Sequence, residues 1–485
     1  MRIYKEENRP AMYRTMKYWG KKPHNIWSQL ILENTKEGSI VLDPFVGSGV
    51  SFIEAIKLNR YPIGIDINPI STFLIDTYSQ DYNLDYIKLK AHNIINIIER
   101  NDIYIKNYVK KCNICNMNTQ IYNYIWKDNK IIGINYKCDK CGKIIKEDDY
   151  NNYFYQEHQL WEPEYNLENL SSINTNTIAK FGGNEFKNFW TSRNFEILKI
   201  IFDELLKVNE PYKKIFILAF LQTLHLTTKM CAVRSNSANR PLSTSWGRPA
   251  YMALSKYMEQ NPLIQFYRAV FGRTGIIKAL ESKNKHVGSY TISKDINIVS
   301  KNDGIMINDD FINHNLDSIN GKVDFVITDP PYGGIIQYNE LSLIWNLWLI
   351  KAYPEYCINL DDEIIINSNL NESTYEERFG LFLNKVEALL VDRGKAIITF
   401  NSNNDRDWEI LEKQLLKTKL HVEDIYVQVN KRASEANVKA KEGMAISDYY
   451  ILLKKDTSIK SSNKENLVKI KEIISDIKKE EKIEC

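Results

Sequence analysis

The chain has 485 residues, of which 64 are basic and 61 acidic, so its formal net charge is +3. Apolar residues make up 44% and charged residues 26%, which is the composition of a folded, soluble protein. The 20 glycines and 13 prolines are too few for a collagen-like or low-complexity chain. If nucleic acid is the partner, the positive charge must be concentrated locally.

The N-terminus is charged from Arg2 onward and lacks the apolar core of a secretory signal. The longest apolar stretch, 215–226, is shorter than the roughly 20 residues that a membrane span needs. We therefore expect a cytoplasmic protein without a membrane partner.

Residues 38–66 show the pattern of one strand-helix-strand unit. Strands are predicted at 39–42 and 61–67, with a helix at 50–59 between them. Such units are typical of parallel α/β sheets, whose turns after the strands bind ligands.

The turn after the first of these strands contains Gly47 and Gly49. Glycines let a ligand approach the backbone, and the following helix offers free N–H groups. Asp66 ends the next strand, where an acid can accept hydrogen bonds from ribose hydroxyls. The third glycine of a dinucleotide fingerprint and the lysine of a phosphate loop are both absent, which disfavours NAD and a nucleotide triphosphate.

Four cysteines form two CxxC pairs that are separated by 22 residues: Cys112, Cys115, Cys138 and Cys141. This spacing predicts a zinc ribbon in which four thiolates hold a structural Zn²⁺. The alternating residues 120–137 between the pairs predict a β-hairpin. Four reduced surface cysteines are the alternative.

A basic segment, 229–273, has seven positive residues against one acid, Glu259, and is otherwise expected to be irregular. Basic residues among aromatic ones suit phosphate contact and base stacking, although a solvated face over a core helix is the alternative. Arg193 and Asn194 open a predicted helix, which we expect them to cap. The candidate DNA-binding residues are Arg234, Arg240, Trp246, Arg248 and Lys256.

The second half of the chain alternates strands with helices again, which predicts a doubly wound, largely parallel α/β sheet with an antiparallel pair at its edge. Neither half has enough strands alone, so one sheet interrupted by a long insertion is expected. The predicted strands are 304–307, 323–328, 395–400, 421–429 and 448–453, and the predicted helices are 340–350, 375–390 and 408–416.

This division predicts a catalytic domain made of residues 1–80 and 290–455. The insertion, 81–289, would contain the zinc ribbon at about 108–148 and a helical, basic DNA-recognition region at about 180–280. Residues 456–485 form a charged tail to which no function is assigned.

The predicted strand 323–328 runs into Asp329-Pro330-Pro331-Tyr332. The prolines have no N–H, so the turn presents hydrogen-bond acceptors and almost no donors. An exocyclic amine needs such acceptors, because hydrogen bonds from its two N–H groups favour a pyramidal nitrogen with an available lone pair. Tyr332 adds a flat face on which an extruded base could stack.

The motifs at 43–49 and 329–332 together resemble the S-adenosylmethionine-dependent DNA amino-methyltransferases, which methylate adenine N6 or cytosine N4. Within that family the sequence is most similar to bacterial adenine-specific methylases with a zinc ribbon. The resemblance implies a class I, Rossmann-like fold and S-adenosylmethionine as cofactor. Segment 21–24 is similar to the one beside the cofactor's methionine moiety, and 306–310 to the strand whose terminal acid lies near its adenine. The implied cofactor-binding residues are Lys22, Pro23, His24, Asp43, Phe45, Gly47, Gly49, Asp66, Asp309 and Asp310.

The sequence therefore predicts a DNA adenine-N6 methyltransferase that acts on a flipped-out base, with Asp329, Pro330, Pro331 and Tyr332 as its catalytic residues. Double-stranded DNA is the expected partner, and a separate restriction endonuclease would complete a restriction-modification system. Two alternatives stay open, a cytosine-N4 methyltransferase and a non-catalytic DNA-binding subunit of a modification system.

Overall fold

The computed structural model describes residues 3–142, 144–148, 161–173, 175–233, 241–298, 303–402, 404–429 and 447–458. Its strands, in chain order, are β1 (Ile3–Tyr4), β2 (Ile40–Asp43), β3 (Tyr61–Asp66), β4 (Val109–Lys111), β5 (Asn118–Lys127), β6 (Lys130–Lys137), β7 (Ile144–Asp148), β8 (Lys256–Gln260), β9 (Ile292–Ser293), β10 (Gly304–Asn308), β11 (Val323–Thr328), β12 (Leu390–Phe400), β13 (Leu420–Val429) and β14 (Ser447–Lys455). Most of the predicted charged tail, from 459 onward, lies outside the described residues.

The helices are α1 (His24–Asn34), α2 (Val50–Lys57), α3 (Pro69–Ser79), α4 (Leu84–Glu99), α5 (Asp102–Tyr108), α6 (Thr175–Phe181), α7 (Ser192–Leu206), α8 (Tyr212–Leu224), α9 (Pro262–Phe271), α10 (Ile276–His286), α11 (Tyr338–Ala352), α12 (Glu372–Leu389) and α13 (Asp405–Leu415). Among the described residues, no helix is both long and apolar enough to cross a membrane.

A nine-stranded sheet has the order β1-β13-β14-β12-β11-β2-β3-β10-β9. Neighbouring strands are parallel except at β14, which runs antiparallel to both β12 and β13. The predicted largely parallel α/β sheet is therefore confirmed. The prediction that the β13–β14 pair forms the sheet edge is wrong, because β1 lies beyond β13, and two residues are too few to show a strand pattern in the sequence.

Both faces of this sheet are covered. Alternate residues of the central strands contact different apolar clusters, so that Val41 and Ile327 belong to one cluster while Leu42 and Val326 belong to the other. Neighbouring residues of a strand point to opposite faces, so this division shows helices packed on both sides.

The order in which successive strands are added to the sheet reverses between the neighbouring strands β2 and β11. From β2 the next strand, β3, lies on one side, whereas from β11 the next strand, β12, lies on the other. Open α/β sheets bind ligands beyond the carboxyl ends of the strands at such a switch point. The glycine turn follows β2 and Asp329 follows β11, so the two motifs meet there.

The second sheet is antiparallel and contains β4 to β8. Its central hairpin, β5–β6, turns at Asp128 and Asn129, which have φ angles of +47° and +62°, as the predicted hairpin requires. The expectation that the chain is irregular up to about residue 275 is wrong, because β8 pairs with β5 and α9 follows it.

The expected capping role of Arg193 and Asn194 is also wrong. The Thr191 side chain caps α7 by accepting the N–H of Asn194, while Arg193 is buried. Arg193 donates two hydrogen bonds of 2.9 Å to Glu259, the one acid of the basic segment. The bidentate pair joins α7 to β8, which makes it structural.

Candidate active site

The cofactor side of the candidate site is the turn between β2 and α2. Gly47 and Gly49 have φ angles of +50° and +79°, a left-handed backbone that favours glycine, and a Cβ on Gly49 would lie 2.8 Å from Ile75 Cγ1. Asp66, at the end of β3, accepts the backbone N–H groups of Gly47 at 2.7 Å and Asn68 at 2.8 Å. Burial raises the pKa of Asp66 to about 6, although both N–H groups lower it.

Asp43 lies beneath this turn and joins it to the catalytic strand. Its carboxylate accepts the Phe45 N–H at 3.0 Å, the Thr328 hydroxyl at 2.7 Å and the Ser51 hydroxyl. Burial raises the pKa of Asp43 to about 7. Its contacts are to protein groups, and they hold the β2 turn against β11.

Asp329, directly after β11, is held at one of its two carboxylate oxygens. Lys22 Nζ lies 3.0 Å from Oδ1, and the hydroxyls of Thr399 and Tyr332 donate to the same oxygen. Burial raises the pKa of Asp329, and Lys22 offsets part of that rise. Burial alone would lower the pKa of Lys22, but the carboxylates of Asp329 and Asp448 outweigh it and the pKa lies above its usual value.

The other oxygen of Asp329, Oδ2, has no hydrogen-bond partner in the described part of the chain. It faces Gly20, on which a Cβ would lie 4.0 Å from Oδ2. The Pro331 carbonyl accepts the Tyr375 hydroxyl at 3.3 Å, whereas the Pro330 carbonyl accepts no hydrogen bond from a described residue. The turn therefore offers two acceptors, as its proline content predicts.

Tyr332 and a pair of other tyrosines occupy different places around Asp329. The Tyr332 ring packs edge-on against Phe400 at 5.3 Å, and its hydroxyl is 3.3 Å from Lys22 Nζ. Tyr18 and Tyr338 stack on each other at 5.8 Å with an interplanar angle of 20°. The stacked pair lines the cavity described next, and Tyr332 does not.

A cavity of about 790 Å³ lies over the carboxyl ends of β2 and β11 and is called the cofactor cavity below. Its charged wall groups are mostly acids, namely Asp66, Asp310, Asp329, Asp362 and Glu363 against Lys21 and Lys22. Seven of the predicted site residues line it: Lys22, Phe45, Gly47, Asp66, Asp310, Asp329 and Pro331.

Other predicted site residues lie away from this wall. His24 begins α1 directly after Pro23, and its ring packs 5.5 Å from Tyr13. Of the two neighbouring acids, Asp310 lines the cavity and pairs with Arg378 at 3.0 Å, whereas Asp309 pairs with His314 at 2.7 Å.

Several residues around the cavity carry no sequence signal of their own. Asp448 lies 3.4 Å from Lys22 Nζ, and it reaches the site only because β14 is inserted between β12 and β13. Glu363 lies in an irregular loop, and burial raises its pKa to about 8. Tyr18 lies just before the Lys21–His24 motif, and Tyr338 is the first residue of α11. The motifs therefore indicate the neighbourhood of these two tyrosines but not the tyrosines themselves.

The four paired cysteines converge at one end of the second sheet. Their sulfur atoms all lie within 4.8 Å of one another, with Cys115 and Cys138 Sγ 3.4 Å apart and Cys112 and Cys141 Sγ 3.9 Å apart. Asn116 and Gly142 follow the second cysteine of each pair with positive φ, which turns each pair toward the common centre. The group could hold a tetrahedral metal ion.

The predicted DNA-binding residues divide into three groups. Arg234 and Arg240 lie outside the described residues, Arg248 and Lys256 are exposed, and Trp246 is half-buried. The aromatic residues expected to stack on bases belong largely to the core, because Tyr251, Tyr257 and Phe266 are buried. Tyr267 is the exception, with 46% of its surface exposed.

Comparisons with known proteins agree with this geometry. A family model described as DNA methylase matches residues 2–74, which contain α1, the glycine turn and Asp66. The chain is 22% identical over 432 residues to the Type II methyltransferase M.MjaII of Methanocaldococcus jannaschii, over 82% of this chain and 73% of the relative. It is 53% identical over 47 residues to M.HpaI of Haemophilus parainfluenzae and 51% identical over 45 residues to M2.DpnII of Streptococcus pneumoniae, both Type II methyltransferases. These two matches span 10% and 9% of this chain and 15% and 17% of the relatives.

The DNA methylase match over residues 2–74 and the Type II relatives support a DNA methyltransferase activity, and S-adenosylmethionine is the cofactor expected of such an enzyme. The switch-point cavity lies between the glycine turn and the Asp329–Tyr332 turn, which is the arrangement expected of a DNA methyltransferase that acts on an amino group.

Proposed function

We propose that this enzyme methylates the N6 amino group of adenine in double-stranded DNA. The observation that carries the proposal is the pair of acceptors directly after β11, namely Asp329 Oδ2, whose residue lines the cofactor cavity, and the carbonyl of the next residue, Pro330. An acid in the first position of the motif favours adenine, by resemblance to the adenine-specific enzymes. Cytosine N4 presents the same amine chemistry and is the alternative substrate.

The cofactor cavity fits S-adenosylmethionine in charge. The cofactor has a sulfonium and an ammonium cation, and the cavity has acidic side chains at Asp66, Asp310 and Asp362. Asp66 would hold the ribose hydroxyls, while Gly47 lets the ligand lie against the backbone. When bound, the cofactor supplies an electrophilic methyl group.

The chain's own part in the reaction is to position and polarise the amine. Asp329 Oδ2 accepts one amine N–H and the Pro330 carbonyl the other, which leaves the nitrogen lone pair free to attack the methyl group. The methyl–sulfur bond would break with its electron pair going to the sulfonium sulfur, and the methylated nitrogen would then pass one proton to Asp329 Oδ2 or to solvent. Lys22, Thr399 and Tyr332 fix Oδ1, so that the carboxylate has its orientation before the base arrives. Such preorganised acceptors stabilise the positive charge that develops on nitrogen.

Labelled methyl transfer to DNA, followed by digestion to nucleosides, tests the proposal. Wild type should yield N6-methyl-2′-deoxyadenosine, and Asp329→Ala should lower the rate by about 10³-fold while cofactor binding persists. The matched control is Asp361→Ala, an exposed acid that does not line the cavity, which should keep the full rate. Label in N4-methyl-2′-deoxycytidine would show that cytosine is the target base instead of adenine. Equal transfer by wild type and Asp329→Ala would refute the mechanism.

We also propose that Cys112, Cys115, Cys138 and Cys141 bind a structural Zn²⁺. Their converged sulfurs support this, and four thiolates leave no open position for a water molecule. Metal analysis of the purified protein should find about one zinc per chain, and Cys115→Ser with Cys138→Ser should remove it. Retention of the metal by that double variant would refute the assignment.

The division of the chain into two parts completes the proposal. Every strand of the nine-stranded sheet lies within 3–66 or 292–455, and every strand of the second sheet lies within 109–148 or 256–260. We assign methyl transfer to 1–80 with 290–455, and DNA recognition to 81–289.

A further inference from the structure

A second cavity, of about 1180 Å³, adjoins the cofactor cavity and is called the basic cavity below. Its walls come from the N-terminal segment 9–21, from the end of α8, from α9 and from Trp246. It has five basic wall residues and no acidic one among the described residues: Arg9, Arg14, Lys17, Lys21 and Arg268. Such a concentration of one sign of charge favours an anionic ligand.

Two of these five cations have no carboxylate partner in the described part of the chain. Arg14 is exposed at the end of a 3-10 turn, and Arg268 is half-buried on α9. Burial lowers the pKa of Arg268, which shows the cost of holding this cation away from water. By contrast, Arg9 pairs with Glu6 at 3.3 Å, and Lys21 donates to the Tyr13 carbonyl at 3.0 Å.

A third polar group at the wall also lacks a partner. The Trp246 indole nitrogen is buried, and no described residue accepts its hydrogen. Buried N–H groups are nearly always hydrogen-bonded, so this one calls for an acceptor that the chain does not supply. Lys17 Nζ lies 6.0 Å from the centre of the same ring, which places positive charge beside the free donor.

The basic cavity is adjacent to the catalytic residues. Tyr18 and Lys21 line both cavities, and Lys22, the next residue, contacts Asp329. An anion in the basic cavity would therefore sit next to the place where the target amine must lie. Phosphodiester groups on either side of the target nucleotide fit this position and this charge.

We propose that the basic cavity binds the sugar-phosphate backbone of the DNA strand that carries the target base. Arg14 and Arg268 contact its phosphates, and the Trp246 N–H donates to a phosphate oxygen. The N-terminal segment thus shares the DNA contact with the insertion. This inference rests on the proposed function, in that it places the DNA substrate of the same site.

Binding of a random-sequence DNA duplex, measured by fluorescence anisotropy without turnover, tests the inference. Arg14→Gln and Arg268→Gln should each weaken binding about tenfold, because each removes a charge-assisted hydrogen bond. The slope of log affinity against log salt should become shallower by about 0.9 for each lost phosphate contact. Trp246→Phe keeps an aromatic ring, although a smaller one, and loses the N–H, so it should weaken binding about threefold with an unchanged slope.

The matched control is Arg393→Gln, an exposed arginine in β12 that lines neither cavity and lies outside the insertion, and it should bind DNA as wild type does. Calorimetric binding of S-adenosylmethionine should be equal in all variants, which shows that they fold. Wild-type DNA affinity and slope in Arg14→Gln, an exposed position that folding tolerates, would overturn the inference. Failure of the proposed function would appear separately, as DNA binding without methyl transfer by wild type.

Discussion

The two cavities that meet at Tyr18 differ in the sign of their charge. The cofactor cavity has five acids against two lysines, whereas the basic cavity has five cations and no acid among the described residues. The proposal assigns the cationic cofactor to the first wall and the polyanionic substrate to the second, and Tyr18 and Lys21 line both cavities. The net charge of +3 conceals this separation.

The largest expected effect that is confined to one cavity comes from the loss of Lys22, the main cation beside Asp329. Lys22→Met leaves Asp329 and Asp448 buried without their shared counter-ion, so the pKa of Asp329 should rise further. We expect methyl transfer to fall about 100-fold near pH 7.5, and the acidic limb of the pH–rate profile to move to higher pH. Random-duplex affinity should stay within about twofold, because the basic cavity is untouched.

The stability of the same variant provides an independent check. Breaking a buried ion pair costs about 3 kcal/mol, and here that loss should shrink as pH falls, because the orphaned carboxylates then take up protons. Adding Asp448→Asn should restore part of the stability. Lys278→Met removes an exposed pair with Glu281 and should change neither property; an equal loss in that control would refute the assignment.

Salt should affect the two ligands unequally. If three phosphates bind, raising salt from 50 to 200 mM should weaken DNA binding about 40-fold, because counter-ions compete with each phosphate contact. S-adenosylmethionine affinity should change less than about twofold, since its buried partners are poorly screened. Anisotropy and calorimetry at matched salt concentrations measure the two, and equal salt dependence would contradict the division of charge.

The pH dependence of cofactor binding tests whether the Asp66 carboxylate holds the ribose. The pKa of its carboxyl in the free enzyme is about 6, so below that pH it becomes protonated and loses acceptor strength. Affinity for S-adenosylmethionine should therefore fall as pH drops through about 6. Asp66→Asn should weaken binding about tenfold at pH 8 and remove this pH dependence. An unchanged pH profile in calorimetry would place the ribose elsewhere.

The smallest effect concerns Tyr18, which lines both cavities. Tyr18→Phe keeps the ring stacked on Tyr338 and loses only a long contact with Ser71, so both ligands should bind within about twofold of wild type. Tyr18→Ala removes the shared wall and should weaken both by a larger factor. A change confined to one ligand would show that the residue belongs to only one cavity.

The placement of the candidate site residues was predictable where it depends on local sequence. Gly47 and Asp329 lie on turns after buried strands and Asp66 is the last residue of another, and the order of strands and helices places all three at one sheet edge. The cysteine spacing likewise indicated a converged cluster. These features follow from a few consecutive residues and from the pairing rules of parallel sheets.

What could not be predicted depends on long-range placement. Asp448 contacts Lys22 only through the insertion of β14, and Glu259 meets Arg193 only because β8 joins a sheet that begins far earlier in the chain. The basic segment appeared to be a DNA face, yet several of its aromatic residues are in the core. Charge counts along the sequence do not show which charges are buried.

The hydrogen bond between Asp43 and Thr328 joins residues 285 positions apart, and it has a consequence for synthesis of the protein. At roughly 5 to 20 residues per second, β2 emerges from the ribosome about 15 to 60 s before its neighbour β11 exists. Throughout that interval the nascent chain presents an unpaired strand edge. Expression yield should therefore depend on chaperone capacity and translation speed more than the stability of the finished sheet would suggest.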